Sequence, residues 1–262
     1  MGTSLKTVGV GQNSLNRRLR VRIGGTESMT AETVPSSRME YWGERWNELD
    51  IGFHESAVHR MLVKHIDKLI PQGKANKVFF PLCGKTLDMK WLYDQGFTVV
   101  GVEGVKSAIT QFFSEQNIDY TEEDMKQNGE DFKLFKSKDG RVKIYWIDML
   151  KFNVDLEGKF DAIWDRGSLV ALNRQDVPAY IQIIKSVLNS KGRILLEVME
   201  YDVSIMSDVN SPSRPPPPHP MYEGELKNLF EPDFSLEFLE RAGRKVAGKD
   251  IHVAYYSIIH LH

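Results

Sequence analysis

A glycine and a later carboxylate are the first residues of this sequence whose types and spacing suggest ligand chemistry. Gly84 lies in the stretch FFPLCGKTLDM, and Glu103 ends the apolar stretch VVGVE. A glycine lets the backbone approach a ligand closely, and an acidic residue about 20 positions later can accept hydrogen bonds from both hydroxyls of a ribose. The pair therefore predicts a nucleoside site. The alternative interpretation of Glu103 is a solvated carboxylate at the end of a strand.

The loop around Gly84 has too few glycines for a dinucleotide. The G-x-G-x-x-G motif places a pyrophosphate on bare backbone amides, and the sequence PLCGKT does not match it. NAD and S-adenosylmethionine are both bound through an acidic residue at the ribose, but S-adenosylmethionine has no phosphate and tolerates such a loop. An NAD-dependent oxidoreductase stays an alternative, although the sequence shows no evident Tyr-Lys or histidine catalytic set.

A second polar pair, Asp165 and Arg166, follows the apolar stretch FDAIW. The carboxyl ends of parallel strands meet at one edge of a sheet, so we expect both side chains over the crevice that holds Gly84 and Glu103. Arg166 can bind a carboxylate or a polar heterocycle, and Asp165 is a candidate to take a proton from a bound ligand. The alternative is that the two residues simply pair with each other at a surface turn.

The only cysteine, Cys83, precedes Gly84 at the predicted start of a helix. A helix amino end can lower the pKa of a thiol, but no histidine or aspartate partner pattern marks Cys83 as a nucleophile. We therefore interpret Cys83 as a small packing residue. A single cysteine also excludes an internal disulfide and a multi-thiolate metal site, and we expect no metal.

Short apolar stretches and helical stretches alternate along the middle of the chain. The strand-like stretches are KVFFP, FTVVGVE, VKIYWID, KFDAIWD and RILLEVME. Continuous apolar strands separated by helices predict a parallel sheet that is covered on both faces. A further stretch, DFKLFKS, is expected to pair with VKIYWID through the turn Lys138-Asp139-Gly140.

The end of the chain predicts two closing strands, FSLEFLERA and DIHVAYYSIIHL, separated by a basic loop from Arg241 to Lys249. Together these patterns predict an α/β fold with a doubly wound, seven-stranded sheet. We expect this sheet to be mostly parallel with an antiparallel last strand, as in the Rossmann-like methyltransferase fold.

The beginning of the chain differs in composition from the rest. Residues 1–28 carry five basic residues and one acid, so we expect residues 1–37 to be a disordered extension, with a mitochondrial presequence as the alternative. Residues 38–262 are then the folded domain. The net charge of −2 gives no electrostatic case for nucleic acid or an anionic membrane, and no apolar run is long enough to span a bilayer.

Several motifs together resemble the thiopurine S-methyltransferase family: FFPLCGK, MKW, VVGVE, KFDAIWDRGSLVAL, and the entry YWGERW with GFHE. The resemblance runs from about Met39 to the end and is densest from Phe79 to Leu172. It implies methyl transfer from S-adenosylmethionine to the sulfur of a small aromatic or heterocyclic thiol by in-line attack. It also implies a cytoplasmic monomer that uses no metal.

The resemblance implies that two tryptophans near the entry of the domain close over the cofactor. Trp42 and Trp46 lie four residues apart, so on a helix they share one face. Phe53 matches a position that contacts both cofactor and acceptor. Without the family match, a helix docking its apolar face on the domain is the ordinary interpretation of the two tryptophans.

The remaining matched positions follow predicted strands. The resemblance implies cofactor contacts from Leu82, Glu103, Asp148, Met149 and Arg166. Glu103 would lie by the ribose, and Asp148 and Met149 on the adenine side, where the acid could accept from the adenine amino group. Arg166 would lie near both cofactor and acceptor.

The tail of the chain departs from the family pattern. The family has a late arginine in its acceptor loop, and Arg241, Arg244 or Lys245 could each supply it here. The proline run Ser211 to Pro220 predicts a loop over the acceptor crevice. A non-catalytic interaction module, using the basic N-terminus and this proline run, is the second alternative function.

Overall fold

Buried β-branched and aromatic residues form the centre of a mixed sheet in the computed structural model. The structure describes residues 38–71, 77–205, 217–246 and 248–261. The predicted disordered extension, residues 1–37, and most of the proline run lie outside the described residues.

The described residues form one nine-stranded sheet with the order β3-β4-β5-β2-β1-β6-β7-β9-β8. The strands are β1 (Lys77–Phe80), β2 (Thr98–Glu103), β3 (Tyr120–Gln127), β4 (Glu130–Ser137), β5 (Val142–Trp146), β6 (Phe160–Arg166), β7 (Leu188–Glu200), β8 (Phe234–Val246) and β9 (Lys249–His260). The five central strands are parallel, and both edges are antiparallel. The predicted Rossmann-like α/β fold is confirmed. Strand order reverses at β1, between β2 and β6.

The sheet has nine strands rather than the predicted seven, and the difference lies at its edges. The stretch YTEEDMKQ, which forms β3, is too charged to read as a strand. Opposite charges stabilise it across the ladder, since Asp124 stands opposite Lys133, with their side chains 2.7 Å apart.

The predicted basic loop from Arg241 to Lys249 is wrong. Strand β8 continues to Val246, and Arg244 stands opposite Ile251 of β9. An edge strand can carry charged side chains that alternate with half-buried ones. Those charges gave the stretch the appearance of a loop.

The helices cover both faces of the sheet. They are α1 (Arg38–Asn47), α2 (Arg60–Lys64), α3 (Ile66–Leu69), α4 (Leu87–Asp94), α5 (Lys106–Glu115), α6 (Val154–Glu157), α7 (Val177–Val187) and α8 (Glu223–Phe230). None of these described helices is long and apolar enough to cross a membrane.

Neighbouring side chains of the central strands pack into different cores, one on each face. Phe79 of β1 stacks on Phe152 and Phe160, with ring centroids 5.1 and 4.6 Å away. Phe80 belongs to the other core, together with Trp164 of β6. This alternation follows from the two-residue period of a strand, and it decides which polar residues at the strand ends share a face.

Candidate active site

A cavity of about 550 Å³ opens where the strand order reverses, beyond the carboxyl ends of β1, β2 and β6. Its size suits a small-molecule ligand. Eight residues that the sequence predicts for the site line it: Trp42, Trp46, Phe53, Leu82, Gly84, Glu103, Asp148 and Arg166. The predicted loops and strand ends therefore meet at one place.

The loop after β1 forms a floor of closely packed backbone. Leu82 and Gly84 have φ values of +45° and +52°, in the left-handed region that favours glycine. A Cβ atom at Gly84 would lie 3.2 Å from Cζ2 of Trp46. Gly84 is thus required both by its own conformation and by the close approach of the Trp46 ring.

Glu103 is buried at the end of β2 and holds this loop in place. The amides of Gly84 and Val105 donate to its two carboxylate oxygens, each at 2.8 Å. Burial raises the pKa of Glu103, and the backbone hydrogen bonds oppose that rise. The Gly104 amide is a third backbone donor to Glu103, and because a carboxylate has about four lone pairs, Glu103 retains acceptor capacity for a ligand hydroxyl.

Residues 38–55, which we call the lid segment, cover the cavity with aromatic side chains. The Trp42 and Trp46 rings each meet Phe53 edge-to-face, at centroid distances of 5.4 and 5.8 Å. The Arg45 guanidinium lies 5.4 Å from the Phe53 ring centroid. Trp42 and Trp46 share one helical face, as their spacing predicts, and that face forms a wall of the cavity.

Arg38, which sequence reasoning missed, ties the start of the lid segment to the body of the domain. Its guanidinium lies 2.6 Å from Oδ1 of Asp148 and 2.5 Å from Oδ2 of Asp176. The same Asp148 oxygen accepts from the Leu150 amide at 3.0 Å. The partners are 110 and 138 residues away along the chain, so no local pattern could reveal them.

A buried carboxylate, Glu197 of β7, lies at the centre of a charged cluster on the cavity wall. His59 Nε2 is 3.1 Å from Oε2, and the Tyr255 hydroxyl donates to the same oxygen at 2.9 Å. Arg166 Nε and Arg244 Nη1 lie 3.4 and 3.5 Å from Oε1. Glu197 therefore lies within ion-pair distance of both arginines.

The surroundings of Glu197 keep it ionised. Burial acts to raise the pKa of Glu197, but the His59 hydrogen bond and the charges of Arg166 and Arg244 outweigh it, and the pKa is about 2. His59 Nδ1 accepts from the Met61 amide at 3.3 Å, which leaves the ring proton on Nε2, facing Glu197. An acid inside the apolar stretch RILLEVME was a sequence signal for this site that the sequence analysis did not use.

Glu55 of the lid segment covers the two arginines from the solvent side. Its Oε1 lies 2.9 Å from Nη2 of Arg166 and 2.7 Å from Nη2 of Arg244. Arg166 also donates from Nη1 to the carbonyl oxygen of Phe53 at 2.7 Å. Arg166 therefore joins the lid segment to the buried cluster.

The structure distinguishes three candidates for the late arginine of the family's acceptor loop: Arg241, Arg244 and Lys245. Arg244 and Lys245 line the cavity. Arg241 instead pairs with Glu200 at 2.6 Å and does not line it. Of these three, Arg244 shares the carboxylates of Glu55 and Glu197 with Arg166, whereas Lys245 pairs with Asp250.

Comparison with known proteins matches residues 37–253 to the family model of thiopurine S-methyltransferase. A probable thiopurine S-methyltransferase from Danio rerio is 39% identical over 81% of this chain and 88% of its own length. The Mus musculus thiopurine S-methyltransferase is 40% identical over 77% of this chain and 80% of its own length. The chain belongs to the thiopurine S-methyltransferase family. The resemblance identified from the sequence motifs is confirmed.

Solved structures share the fold of this thiopurine S-methyltransferase family member. A Burkholderia thailandensis 1,6-didemethyltoxoflavin-N1-methyltransferase, with bound S-adenosylhomocysteine, has a TM-score of 0.53 at 16% identity, covering 84% of this chain and 85% of that one. TehB from Haemophilus influenzae has a TM-score of 0.51 at 19% identity, covering 85% and 66%. At these identities both structures support the fold alone.

The expectation that Asp165 shares the crevice with Arg166 is wrong for this family member. Asp165 does not line the cavity; it accepts from the Tyr180 hydroxyl at 2.6 Å and from the Leu169 amide at 3.1 Å. Successive side chains of a strand point to opposite faces, so Asp165 and Arg166 separate. Burial raises the pKa of Asp165 to about 6, but its role in the geometry is to hold the chain after β6.

Met149 also lies outside the cavity. It is 1% exposed and packs in the core that contains Tyr145 and Phe152, whereas Asp148 just before it lines the cavity. Of the two residues expected on the adenine side, Asp148 therefore meets the cavity and Met149 does not. Among the described residues, no group of three or more His, Cys, Asp and Glu side chains is arranged to hold a metal ion.

Cys83 has the surroundings of a packing residue. Its thiol is buried, and burial, with a smaller contribution from the Glu103 charge, raises its pKa well above the ordinary value. A Cβ atom on Gly101 would lie 2.5 Å from Sγ, so the thiol fills the space that this glycine leaves. A thiol with a raised pKa is a poor nucleophile at neutral pH.

We expect Cys83→Ser to change kcat/KM for methyl transfer by less than about twofold, with a stability loss of roughly 1–3 kcal/mol from burying a hydroxyl. Cys83→Ala is the matched control, because it removes the sulfur without adding a polar group. Steady-state kinetics below the melting temperature of both variants measure this. A loss of activity greater than about tenfold in both variants, with cofactor affinity intact, would assign chemistry to the thiol.

Proposed function

We propose that the protein transfers a methyl group from S-adenosylmethionine to the sulfur of a small aromatic or heterocyclic thiol. The observation that carries this is the layout of the cavity. The end formed by Gly84 and Glu103, which we call the cofactor end, suits a nucleoside. The end formed by Arg166 and Arg244, which we call the acceptor end, carries two guanidinium groups, and the aromatic lid segment covers the cavity. We propose residues 38–262 as the methyltransferase domain, and membership of the family supports this.

The described residues fit S-adenosylmethionine better than NAD. Gly84, the one glycine of the loop, packs closely against the Trp46 ring. The neighbouring hydrogen-bond acceptor is the buried carboxylate of Glu103. The cation of the loop, Lys85, is paired with Glu115 at 2.7 Å, so it does not offer a free charge to a pyrophosphate. We propose that Trp42, Trp46, Phe53, Leu82, Gly84, Glu103, Asp148 and Arg166 hold the cofactor.

The bound cofactor supplies a sulfonium-activated methyl group, so the chain has to position the acceptor. Arg166 and Arg244 offer guanidinium donors that can orient the acceptor, and Phe53, whose carbonyl oxygen accepts from Arg166, offers an aromatic surface to the acceptor ring. The chain's part would be to hold the thiolate sulfur in line with that methyl group. Holding these atoms in line accounts for much of the rate increase. An acidic thiol loses its proton to water before attack, without a dedicated base.

We expect S-adenosylhomocysteine at about 100 times its Kd to raise the melting temperature by roughly 5–10 °C, and NAD to leave it unchanged. Glu103→Gln is expected to lose most of this rise, because an amide provides one acceptor oxygen in place of two. Differential scanning fluorimetry measures both. A rise with NAD alone supports the oxidoreductase, and no rise with either ligand supports the non-catalytic module.

We also propose that the protein acts as a monomer in the cytoplasm, without a nucleic-acid or membrane partner. The net charge of −2 supports the lack of a polyanionic partner, because it provides no overall attraction. Analytical ultracentrifugation tests the monomer, and cell fractionation tests the location.

A further inference from the structure

The arginine pair at the acceptor end of the cavity already holds an anion, and that anion is part of the chain. One oxygen of Glu55 contacts Nη2 of both Arg166 and Arg244, at 2.9 and 2.7 Å. The two arginine side chains are 15% and 23% exposed, whereas Glu55 is 43% exposed. Glu55 therefore lies between the guanidinium groups and solvent.

The two carboxylates that face the arginine pair are held very differently. Glu197 is 1% exposed and accepts from His59 and Tyr255, so it cannot leave without exposing a buried network. Glu55 stands on an irregular, exposed part of the lid segment. Exposed ion pairs of this kind contribute little to stability, so an incoming anion can displace Glu55 but not Glu197.

The charges of the cluster balance while Glu55 is in place. Arg166 and Arg244 supply two positive charges, and Glu55 and Glu197 supply two negative charges. If Glu55 moves away, the remaining cluster has one uncompensated positive charge. A ligand anion that binds between the arginines must therefore compete with an anion that the lid segment holds at a high effective concentration.

We propose that Glu55 is a specificity-determining residue that acts as an internal competitor for the anion subsite between Arg166 and Arg244. It disfavours aromatic thiols that carry a carboxylate beside the sulfur, because the carboxylate must displace it. Aromatic thiols without a second acidic group meet no such competition. This inference rests on the proposed methyl transfer and names the acceptor class of the same site.

The test compares 2-mercaptobenzoate with its methyl ester in wild type and in Glu55→Gln. Glutamine keeps the size and an acceptor oxygen but removes the charge. We expect KM for 2-mercaptobenzoate to fall by about three- to tenfold in Glu55→Gln, and KM for the ester to change by less than about twofold. The fall should shrink as ionic strength rises. Glu44→Gln is the matched control, because Glu44 is an exposed acid of α1 that does not line the cavity.

Equal KM changes for the two thiols, or none for either, would overturn the proposal. If wild type methylates neither thiol, the proposed function fails, and benzoate binding measured by calorimetry then decides the inference separately. Tighter benzoate binding to Glu55→Gln than to wild type and Glu44→Gln supports an internal competitor. Equal binding to all three proteins overturns it.

Discussion

Glu197→Ala is expected to lower the free energy of unfolding by about 3–5 kcal/mol, because it removes the counter-charge from a buried cluster. The side chain is 1% exposed. Its loss leaves Arg166, Arg244 and the His59 Nε2 proton without their buried carboxylate partner, and it opens a cavity in the wall of the site. Urea unfolding followed by circular dichroism measures the change.

Tyr255→Phe is the matched control for this prediction. It removes only the hydrogen bond that the tyrosine donates to Glu197, so we expect a loss of about 0.5–1.5 kcal/mol. If Glu197→Ala cost no more than Tyr255→Phe, the carboxylate would not be balancing the arginines.

The acid dependence of stability gives a second readout on Glu197. Its pKa is lowered from 4.5 to about 2 in the folded protein, so the stabilisation is fully present above pH 4.5 and is lost as the pH falls towards 2. We expect Glu197→Gln to lack this part of the acid-induced loss of stability, while the other carboxylates still titrate.

The centre of the fold could be predicted from the sequence because its strands are short apolar runs between helical stretches. The edges could not, since β3 pairs Asp124 with Lys133 across its ladder, and the second half of β8 alternates exposed and half-buried residues. Such pairing depends on the register of two strands. A single charged stretch such as YTEEDMKQ does not reveal it.

The cofactor end of the site could also be predicted, because its residues follow strands in the order of the fold. The acceptor end could be predicted only in part: Arg166 was expected there and Arg244 was one of three candidates, but the buried cluster around Glu197 was not expected. His59, Arg166, Glu197 and Arg244 come from four distant parts of the chain and meet only through the sheet order. The error at Asp165 has a related cause. In the mostly buried strand FDAIWDR, apolar residues fill both faces, so the pattern does not show which face each polar residue takes.

Arg166→Ala is expected to lower kcat/KM for thiol methylation by roughly 100- to 1,000-fold, the usual cost of removing one well-placed charged donor from an active site. Arg166 has two functions in the geometry that explain an effect of this size. It places a positive charge at the acceptor end, and it holds the Phe53 carbonyl oxygen at 2.7 Å. Arg166→Lys should recover only part of the activity, because an ammonium group keeps the charge but lacks the planar fork that reaches Phe53 and Glu55 together.

Binding of S-adenosylhomocysteine at the cofactor end distinguishes a loss of catalysis from misfolding. Arg166→Ala should still show much of the rise in melting temperature with S-adenosylhomocysteine, because Gly84 and Glu103 are untouched. Arg141→Ala serves as the matched control, since Arg141 pairs with Asp139 away from the cavity lining and should keep full activity. Unchanged turnover in Arg166→Ala would remove Arg166 from the site. Loss of both turnover and the S-adenosylhomocysteine shift would instead give Arg166 a mainly structural role in closing the lid segment.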